Sequence, residues 1–332
     1  MKTKTLVSIC SPVYNGEDHI EDCIKGVLNQ TYENFEYIIV DNASTDNTPS
    51  IIEKYRKKDS RIRVYRNEKT VCMDDNFNIC AGYCSDNSKW IKYALADDYL
   101  FPDCVEKMIK VGEMDEKVGM VSAYRIAGNF VTSMCLPIEQ NVFNGAEILK
   151  RQILRKLHVA DGSPNTVMYK KSVFFEFNGF NSKYNQSDVE LVFKLLDKYK
   201  FGFVHYVLTK SGRDKKGGFY YLVKHGFHIL EYLDFGYKNL SNYKSISFDK
   251  DEMDYLKMYY ARAIVSFLRT KCAYFEWEDI KRMLRNIPED IKNEVKKIFI
   301  RDFPKHIIKY FVSLLRRIKS YVRDKKRFEQ FT

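Results

Sequence analysis

The first hundred residues alternate between short apolar runs and stretches whose apolar positions recur every three or four residues. The apolar runs predict strands over 5–10, 35–40, 61–65 and 90–95. The helical spacing predicts helices over 17–28, 50–58 and 74–83. Strands that alternate with helices favour a parallel sheet with helices on both faces. The predicted fold class is therefore α/β, with a Rossmann-like, mostly parallel sheet.

The pattern changes after about residue 215. Before it, further strands are predicted over 118–124 and 201–208, and further helices over 102–114 and 144–154. From residue 251 onward the apolar spacing is helical throughout. The sequence therefore predicts a first domain over 1–215, with halves 1–102 and 103–215, and a helical C-terminal region over 216–332.

Positive charge is concentrated at the end of the chain. The net charge is +11, and residues 296–332 carry twelve Lys or Arg against three Asp or Glu, which is +9. The segment 305–327 combines an apolar helical face with basic residues. A basic amphipathic helix is typical of a membrane-surface anchor. The alternative is a helix that packs on the protein or in a dimer and exposes its basic side to solvent.

The composition of the chain bears on the cellular compartment in which the protein is expected. No run of 18 apolar residues predicts a transmembrane helix, and the N-terminal residues show no signal-peptide pattern. The eight cysteines form no regular framework, which is typical of free thiols in a reducing compartment. We therefore expect a cytoplasmic protein, held peripherally on the inner face of the cell membrane by its basic tail.

Two adjacent carboxylates, Asp97 and Asp98, follow the predicted strand 90–95. Ligands of α/β sheets bind beyond the carboxyl ends of the strands. Two neighbouring negative charges are unfavourable unless a cation neutralises them, and carboxylate oxygens suit Mg²⁺ or Mn²⁺. The alternative is that the pair opens a loop and caps the next helix.

The first strand excludes one class of nucleotide-binding protein. It is followed by Ser-Pro-Val-Tyr-Asn-Gly, whereas a dinucleotide-binding fold has Gly-x-Gly-x-x-Gly there. Asp41 ends the second predicted strand, where its carboxylate can accept hydrogen bonds from a base or a ribose. Taken alone, Asp41 is more often a turn-forming residue at such a position.

Four segments resemble the inverting family 2 glycosyltransferases, and they occur in the same order. They are Val-Ser-Ile-Cys-Ser-Pro-Val-Tyr-Asn-Gly-Glu at 7–17, Leu-Asn-Gln-Thr-Tyr at 28–32, Tyr-Ile-Ile-Val-Asp-Asn-Ala-Ser-Thr-Asp-Asn-Thr at 37–48, and Ala-Asp-Asp-Tyr-Leu-Phe-Pro at 96–102. The resemblance spans residues 5 to about 210 and implies a glycosyltransferase-A type fold that uses nucleotide-diphosphate sugars. One position departs from the family pattern, because Leu95 stands where many relatives have the first acidic residue of Asp-x-Asp-Asp.

The resemblance also implies a role for individual residues. Asp188, at the start of a predicted helix, would be the general base, with Glu190 in reserve. Asp98 would ligate the Mn²⁺ or Mg²⁺ that bridges the diphosphate. The remaining residues would contact the donor: Pro12, Val13, Tyr14 and Asn15 at the nucleoside, Asp41 at the uracil, Asp97 at the ribose or sugar, Ser163 beside the sugar, and Arg213 at the diphosphate.

The predicted function is metal-dependent sugar transfer with inversion, from a UDP-sugar to a hydroxyl of a glycan or lipid-linked glycan. Such acceptors occur in bacterial surface polysaccharide assembly. One alternative is transfer onto polyprenyl phosphate, whose nucleophile is already ionised. Another is a protein without catalytic activity that binds a membrane or nucleic acid. The acidic residues argue against that alternative, and we expect no nucleic-acid partner.

Overall fold

A computed structural model describes residues 4–132, 136–157, 164–212, 224–273, 276–298 and 301. The chain forms two compact units. The first contains the described residues up to 212 together with 242–247, and the second contains 224–241 and the described residues from 248 onward. Every strand that the structure describes lies in the first unit, and the second unit is helical.

One sheet organises the first unit. Its described strands are β1 (Val7–Val13), β2 (Phe35–Asp41), β3 (Ile62–Arg66), β4 (Trp90–Tyr93), β5 (Tyr99–Leu100), β6 (Val118–Ala127), β7 (Phe130–Thr132), β8 (Val142–Phe143), β9 (Met168–Lys170) and β10 (Lys200–Ser211). The order is β3-β2-β1-β4-β9-β6-β10-β5, with β7 beside β6 and β8 beside β10.

The long strands of this sheet run in one direction. The neighbours β3, β2, β1 and β4 are parallel, and so are β6 and β10. The short strand β9 is antiparallel to both β4 and β6, which places the carboxyl ends of β4 and β6 at the same edge. The predicted mostly parallel sheet is therefore confirmed, with one antiparallel strand inserted at its centre.

Helices connect and cover the strands. In the first unit they are α1 (Ile20–Leu28), α2 (Thr48–Arg56), α3 (Met73–Gly82), α4 (Cys104–Gly112), α5 (Gly145–Ile153), α6 (Lys171–Glu176) and α7 (Ser187–Lys198). A 3₁₀ turn, Pro164–Thr166, precedes β9. The second unit contains α8 (Phe227–Leu233), α9 (Lys250–Ala273) and α10 (Trp277–Asn286), and residues 289–298 are also helical.

Alternate residues of β1 face opposite layers of helices. Ile9 belongs to the apolar core that also contains Ile24 of α1 and Met108 of α4. Its neighbour Cys10 points to the other side, where its thiol contacts the carbonyl of Cys80 in α3. Successive side chains of a strand point to opposite faces, so both faces of the sheet are covered, as predicted.

The first strand is longer than predicted. The prediction ended it at residue 10, before Ser11 and Pro12, but β1 continues to Val13. β4 pairs with β1 only as far as Cys10, whereas β2 continues alongside to Asp41. Pro12 therefore has a strand on one side only, where a missing N–H is tolerated as it is at a sheet edge. The extension carries the predicted nucleoside-binding residues to the edge of the sheet.

Gly145 of α5 packs against the carboxyl end of α7. A Cβ atom at this position would lie 1.9 Å from the carbonyl oxygen of Tyr199 and 2.5 Å from that of Leu196. Both atoms are backbone, so neither can move aside cheaply. We expect Gly145→Ala to lower the free energy of unfolding by about 1–3 kcal/mol, measured by urea denaturation. In α3, a Cβ at Gly82 meets no atom within 4 Å. We expect Gly82→Ala to be neutral or stabilising by up to ~1 kcal/mol. Equal urea midpoints for Gly145→Ala and Gly82→Ala would contradict the close packing at Gly145.

The second unit contains a largely buried cluster of charges around Asp279. Asp279 of α10 contacts Lys271 of α9 and His225 at 3.0 Å each, and Arg282 at 2.5 Å. Burial opposes ionisation of Asp279, but the hydrogen bonds from these three side chains outweigh it and hold its pKa below the usual range. The cluster is therefore a compensated group of charges that joins α9 and α10, and loss of one partner would leave a buried charge unpaired.

The described ranges contain no helix that is both long and apolar enough to cross a membrane. The basic segment 305–327 lies outside the described residues. Its attachment to a membrane surface stays a prediction.

Candidate active site

The predicted nucleoside residues meet at the carboxyl edge of β1 and β2. Val13 pairs with Asp41, and the carbonyl of Val13 accepts a hydrogen bond of 2.8 Å from the amide of Asn42. The Asn15 side chain accepts from the amide of Thr45 at 2.8 Å. The two loops that follow the strands are thereby joined into one surface. Tyr14 projects from this surface with 51% of its area exposed.

Asp41 is buried beneath this surface, with only 2% of its area exposed. Its carboxylate accepts from the amide of Ser44 at 3.0 Å and forms an ion pair with Arg66 at the end of β3. Arg66 also donates to the carbonyl of Ser44 at 2.9 Å. Sequence reasoning missed Arg66, whose position directly after the predicted strand 61–65 was the available signal.

The Asp97–Asp98 pair lies in a tight turn beyond β4. The amide of Asp98 donates to the carbonyl of Leu95 at 3.0 Å, and the carboxylate of Asp98 accepts from the amide of Gly212 at 2.9 Å. A Cβ atom on Gly212 would lie 2.1 Å from the carbonyl oxygen of Asp97. Only glycine therefore permits the end of β10 to pack against this turn.

The electrostatics of this turn fit a divalent cation. Asp98 is only 7% exposed, and its pKa is raised to about 6, first by burial and then by the charge of the exposed Asp97. Carboxylate oxygens are hard donors of the kind that Mg²⁺ and Mn²⁺ prefer. Within the described ranges, no three His, Cys, Asp or Glu side chains converge on one point. The pair therefore suits a cation that is completed by substrate oxygens and water, as Mg²⁺ commonly is.

Lys92 is a charged residue of this region that the sequence analysis missed. It lies on β4 with no exposed surface, and its ammonium donates to the carbonyl of Asn165 and lies 3.5 Å from the carbonyl of Val167. Burial lowers its pKa to about 8, although the nearby Cys104 and Asp98 favour its charged form. Lys92 thus ties the turn before β9 to β4. A single lysine in an otherwise apolar predicted strand was the signal.

Asp188 lies in the first turn of α7 and is partly buried. Its carboxylate accepts from the amide of Val189 at 2.8 Å. Its pKa is raised to about 7, first by burial and also by Asp74, while Arg125 opposes the rise. The reserve candidate, Glu190, is buried and forms an ion pair of 2.6 Å with Lys194. A carboxyl group with a pKa near 7 is well suited to exchange protons at neutral pH.

Arg125 connects the two acidic centres. It lies on β6, is almost fully buried, and its positive charge lowers the pKa of both Asp98 and Asp188. Both carboxyl groups are therefore within electrostatic range of one guanidinium, although 90 residues separate them in sequence. Sequence reasoning missed Arg125, because the predicted strand stopped one residue before it. Ser163 and Arg213 lie outside the described residues, so their roles stay predictions.

The chain was compared with known proteins. A family model described as glycosyl transferase family 2 matches residues 8–176. Over 61 residues the chain is 49% identical to a putative teichuronic acid biosynthesis glycosyltransferase, TuaG, from Bacillus subtilis; this stretch covers 18% of this chain and 24% of TuaG. The match spans 38% of a Haemophilus influenzae relative and 50% of a Streptococcus pneumoniae relative. This chain thus spans at most half the length of these curated relatives.

Two solved structures share the fold. TarS 1–349 of S. aureus, in complex with UDP, aligns with a TM-score of 0.60 and 16% identity over 96% of this chain and 92% of that chain. The mannosyltransferase PcManGT of Pyrobaculum calidifontis, in complex with GDP-Man and Mn²⁺, aligns with a TM-score of 0.57 and 15% identity over 94% and 85%. At such identities the likeness concerns the fold alone.

Proposed function

This chain belongs to glycosyl transferase family 2, and on that premise we propose that it is a metal-dependent, inverting glycosyltransferase. The donor is a UDP-sugar, and the acceptor is a hydroxyl of a glycan or lipid-linked glycan in bacterial surface polysaccharide assembly. The observation that carries the proposal is a pair of acidic centres whose pKa burial raises: Asp98 in the turn beyond β4, bonded to the amide of Gly212, and Asp188 in the first turn of α7. The UDP bound by TarS and the named pathway of TuaG support the choice of donor and acceptor.

The donor binds along the carboxyl edge of β1, β2 and β4. The uridine contacts the surface formed by Pro12, Val13, Tyr14 and Asn15, and Asp41 orients the base from below. Asp41 suits this task because Arg66 and the amide of Ser44 hold its carboxylate in one orientation. Asp97 and Asp98 extend the site towards the diphosphate and the sugar.

Asp98 would hold the Mn²⁺ or Mg²⁺ that accompanies the donor diphosphate. When bound, this cation stabilises the negative charge that develops on the leaving diphosphate. The chain supports Asp98 through the Gly212 amide. Lys92 of β4 holds the turn before β9 through its hydrogen bond to the carbonyl of Asn165.

The acceptor hydroxyl requires a base. Asp188 removes its proton as the oxygen attacks the anomeric carbon, and this direct displacement inverts the configuration at that carbon. A carboxylate whose pKa has been raised to about 7 is a stronger base than an exposed one, yet about half of it is ionised at neutral pH. Arg125 offsets part of the repulsion between Asp188 and the donor site.

Calorimetry with UDP and GDP, in Mn²⁺ and in EDTA, tests the proposal. We expect UDP to bind in Mn²⁺ and the signal to disappear in EDTA. Tighter binding of GDP than of UDP would replace the proposed donor class with a GDP-sugar, the class that PcManGT binds. If neither nucleotide binds, the proposed function is wrong. With a donor in hand, NMR of the anomeric proton of the product reports whether the configuration inverts.

A further inference from the structure

Helix α3 is bonded to both ends of the segment that leads into α7. Asn78 accepts a hydrogen bond of 2.9 Å from the amide of Phe180 and donates one of 2.8 Å to its carbonyl. One turn earlier on α3, Asp74 accepts a hydrogen bond of 2.7 Å from the hydroxyl of Ser187. Residues four apart lie on the same face of a helix, so one face of α3 supports residues 180–187.

The second of these contacts is adjacent to the proposed base. Ser187 is buried and is the first residue of α7, and Asp188 follows it. Because a helix start has several amides without intrahelical partners, its position depends on contacts made by side chains around it. The bond from Ser187 to Asp74 therefore fixes the point from which the Asp188 side chain projects.

Among the described residues, charged or titratable groups on three neighbouring elements interact electrostatically with Asp188. Asp74 of α3 disfavours its ionised form, and Arg125 of β6 favours it. Tyr169 of β9 is buried, and its pKa is raised first by burial and then by the charge of Asp188. A like charge near a carboxylate favours the protonated form. Asp74 is also bonded to the start of α7, through the hydroxyl of Ser187.

We propose that Asp74 is a positioning residue for the proposed base. Its hydrogen bond to Ser187 fixes the start of α7, and its negative charge makes Asp188 a stronger proton acceptor. The inference rests on the proposed function, in which Asp188 removes the proton of the acceptor. In this proposal Asp74 does not contact the reacting atoms. It acts through its hydrogen bond to Ser187 and through the electrostatic effect of its charge on Asp188.

Two variants separate the charge from the hydrogen bond. In Asp74→Asn, the negative charge is removed, while the side-chain carbonyl can still accept the hydrogen bond from Ser187. In Ser187→Ala, the charge of Asp74 remains and only the hydrogen bond is lost. Asp75→Asn is the matched control, because Asp75 is an exposed carboxylate of the same helix turn. Circular dichroism checks that each variant is folded.

The readout is the titration of Asp188 in the free protein, followed by NMR of ¹³C-labelled aspartate carboxyl groups and assigned with Asp188→Asn. We expect Asp74→Asn to shift the Asp188 midpoint downward by roughly one pH unit, and Asp75→Asn to leave it in place. Ser187→Ala should not lower the midpoint, and it should reduce kcat by roughly 10–100-fold through misplacement of the base. A midpoint in Asp74→Asn equal to that of the wild type overturns the proposal. The titration needs no substrate, so it tests the role of Asp74 independently of sugar transfer. A wild-type protein that transfers no sugar would contradict the proposed function and not the role of Asp74.

Discussion

Asp188→Asn is expected to lower kcat for sugar transfer by about 10²–10⁴-fold, because general base catalysis typically contributes that much. The asparagine keeps the size of the side chain, and its carbonyl can still accept from the amide of Val189, but it cannot take up a proton. Donor binding should remain, since Asp188 does not hold the nucleotide in the proposed mechanism. Initial rates at saturating UDP-sugar and calorimetry with UDP separate the two quantities.

The pH dependence of kcat should identify the same residue. Asp188 must be ionised to act, and its pKa is raised to about 7, so kcat should rise with pH through about 7 and level off above it. In the unfolded chain this carboxyl ionises at a lower pH, so its raised pKa makes the folded state less stable as pH increases from about 4 to 7. We therefore expect Asp188→Asn to be at least as stable as the wild type at pH 8, by urea denaturation.

Glu190→Gln is the control for this experiment. Glu190 is buried against Lys194, so its loss should affect stability more than the rate of transfer. A large loss of kcat in Glu190→Gln together with an active Asp188→Asn would assign the base to Glu190. If both variants transfer sugar at the wild-type rate, the acceptor needs no base, as expected for polyprenyl phosphate.

Asp98→Asn is expected to weaken Mn²⁺-dependent UDP binding by more than the ~10–100-fold that loss of an outer-shell partner of a metal typically costs. The asparagine carbonyl can still accept from the amide of Gly212, so the turn keeps its shape. What is lost is the negative charge next to the cation. In calorimetry with Mn²⁺, the affinity of Asp98→Asn for UDP should fall close to the affinity that the wild type shows in EDTA.

The comparison needs a carboxylate outside the site. Asp103 belongs to the loop before α4 and is paired with Lys107, so Asp103→Asn should bind UDP as the wild type does. Full Mn²⁺-dependent binding by Asp98→Asn would show that Asp98 is not the metal ligand. Asp97→Asn would then be the next variant to measure, since Asp97 is the exposed neighbour in the same turn.

The sequence by itself determined the fold class and the position of several acidic residues along the chain. Strand and helix periodicities are local properties, so the order of strands and helices can be read from them. The same patterns placed Asp41 at the end of β2 and Asp98 just beyond β4, and Asp188 at the start of α7. The four short segments that resemble family 2 predicted the family to which the chain belongs.

Only the tertiary structure decided which charges meet. The charge of Arg125 lowers the pKa of both Asp98 and Asp188, Lys92 reaches across to the turn before β9, and Asp74 reaches Ser187 from 113 residues away. It also decided that β9 is inserted between β4 and β6. The pKa of a carboxyl group depends on its burial and on charges within a few ångströms, and these neighbours come from strands and helices that are distant in sequence. A local pattern can place an acid at the end of a strand, but only the packed structure sets how strongly it holds its proton.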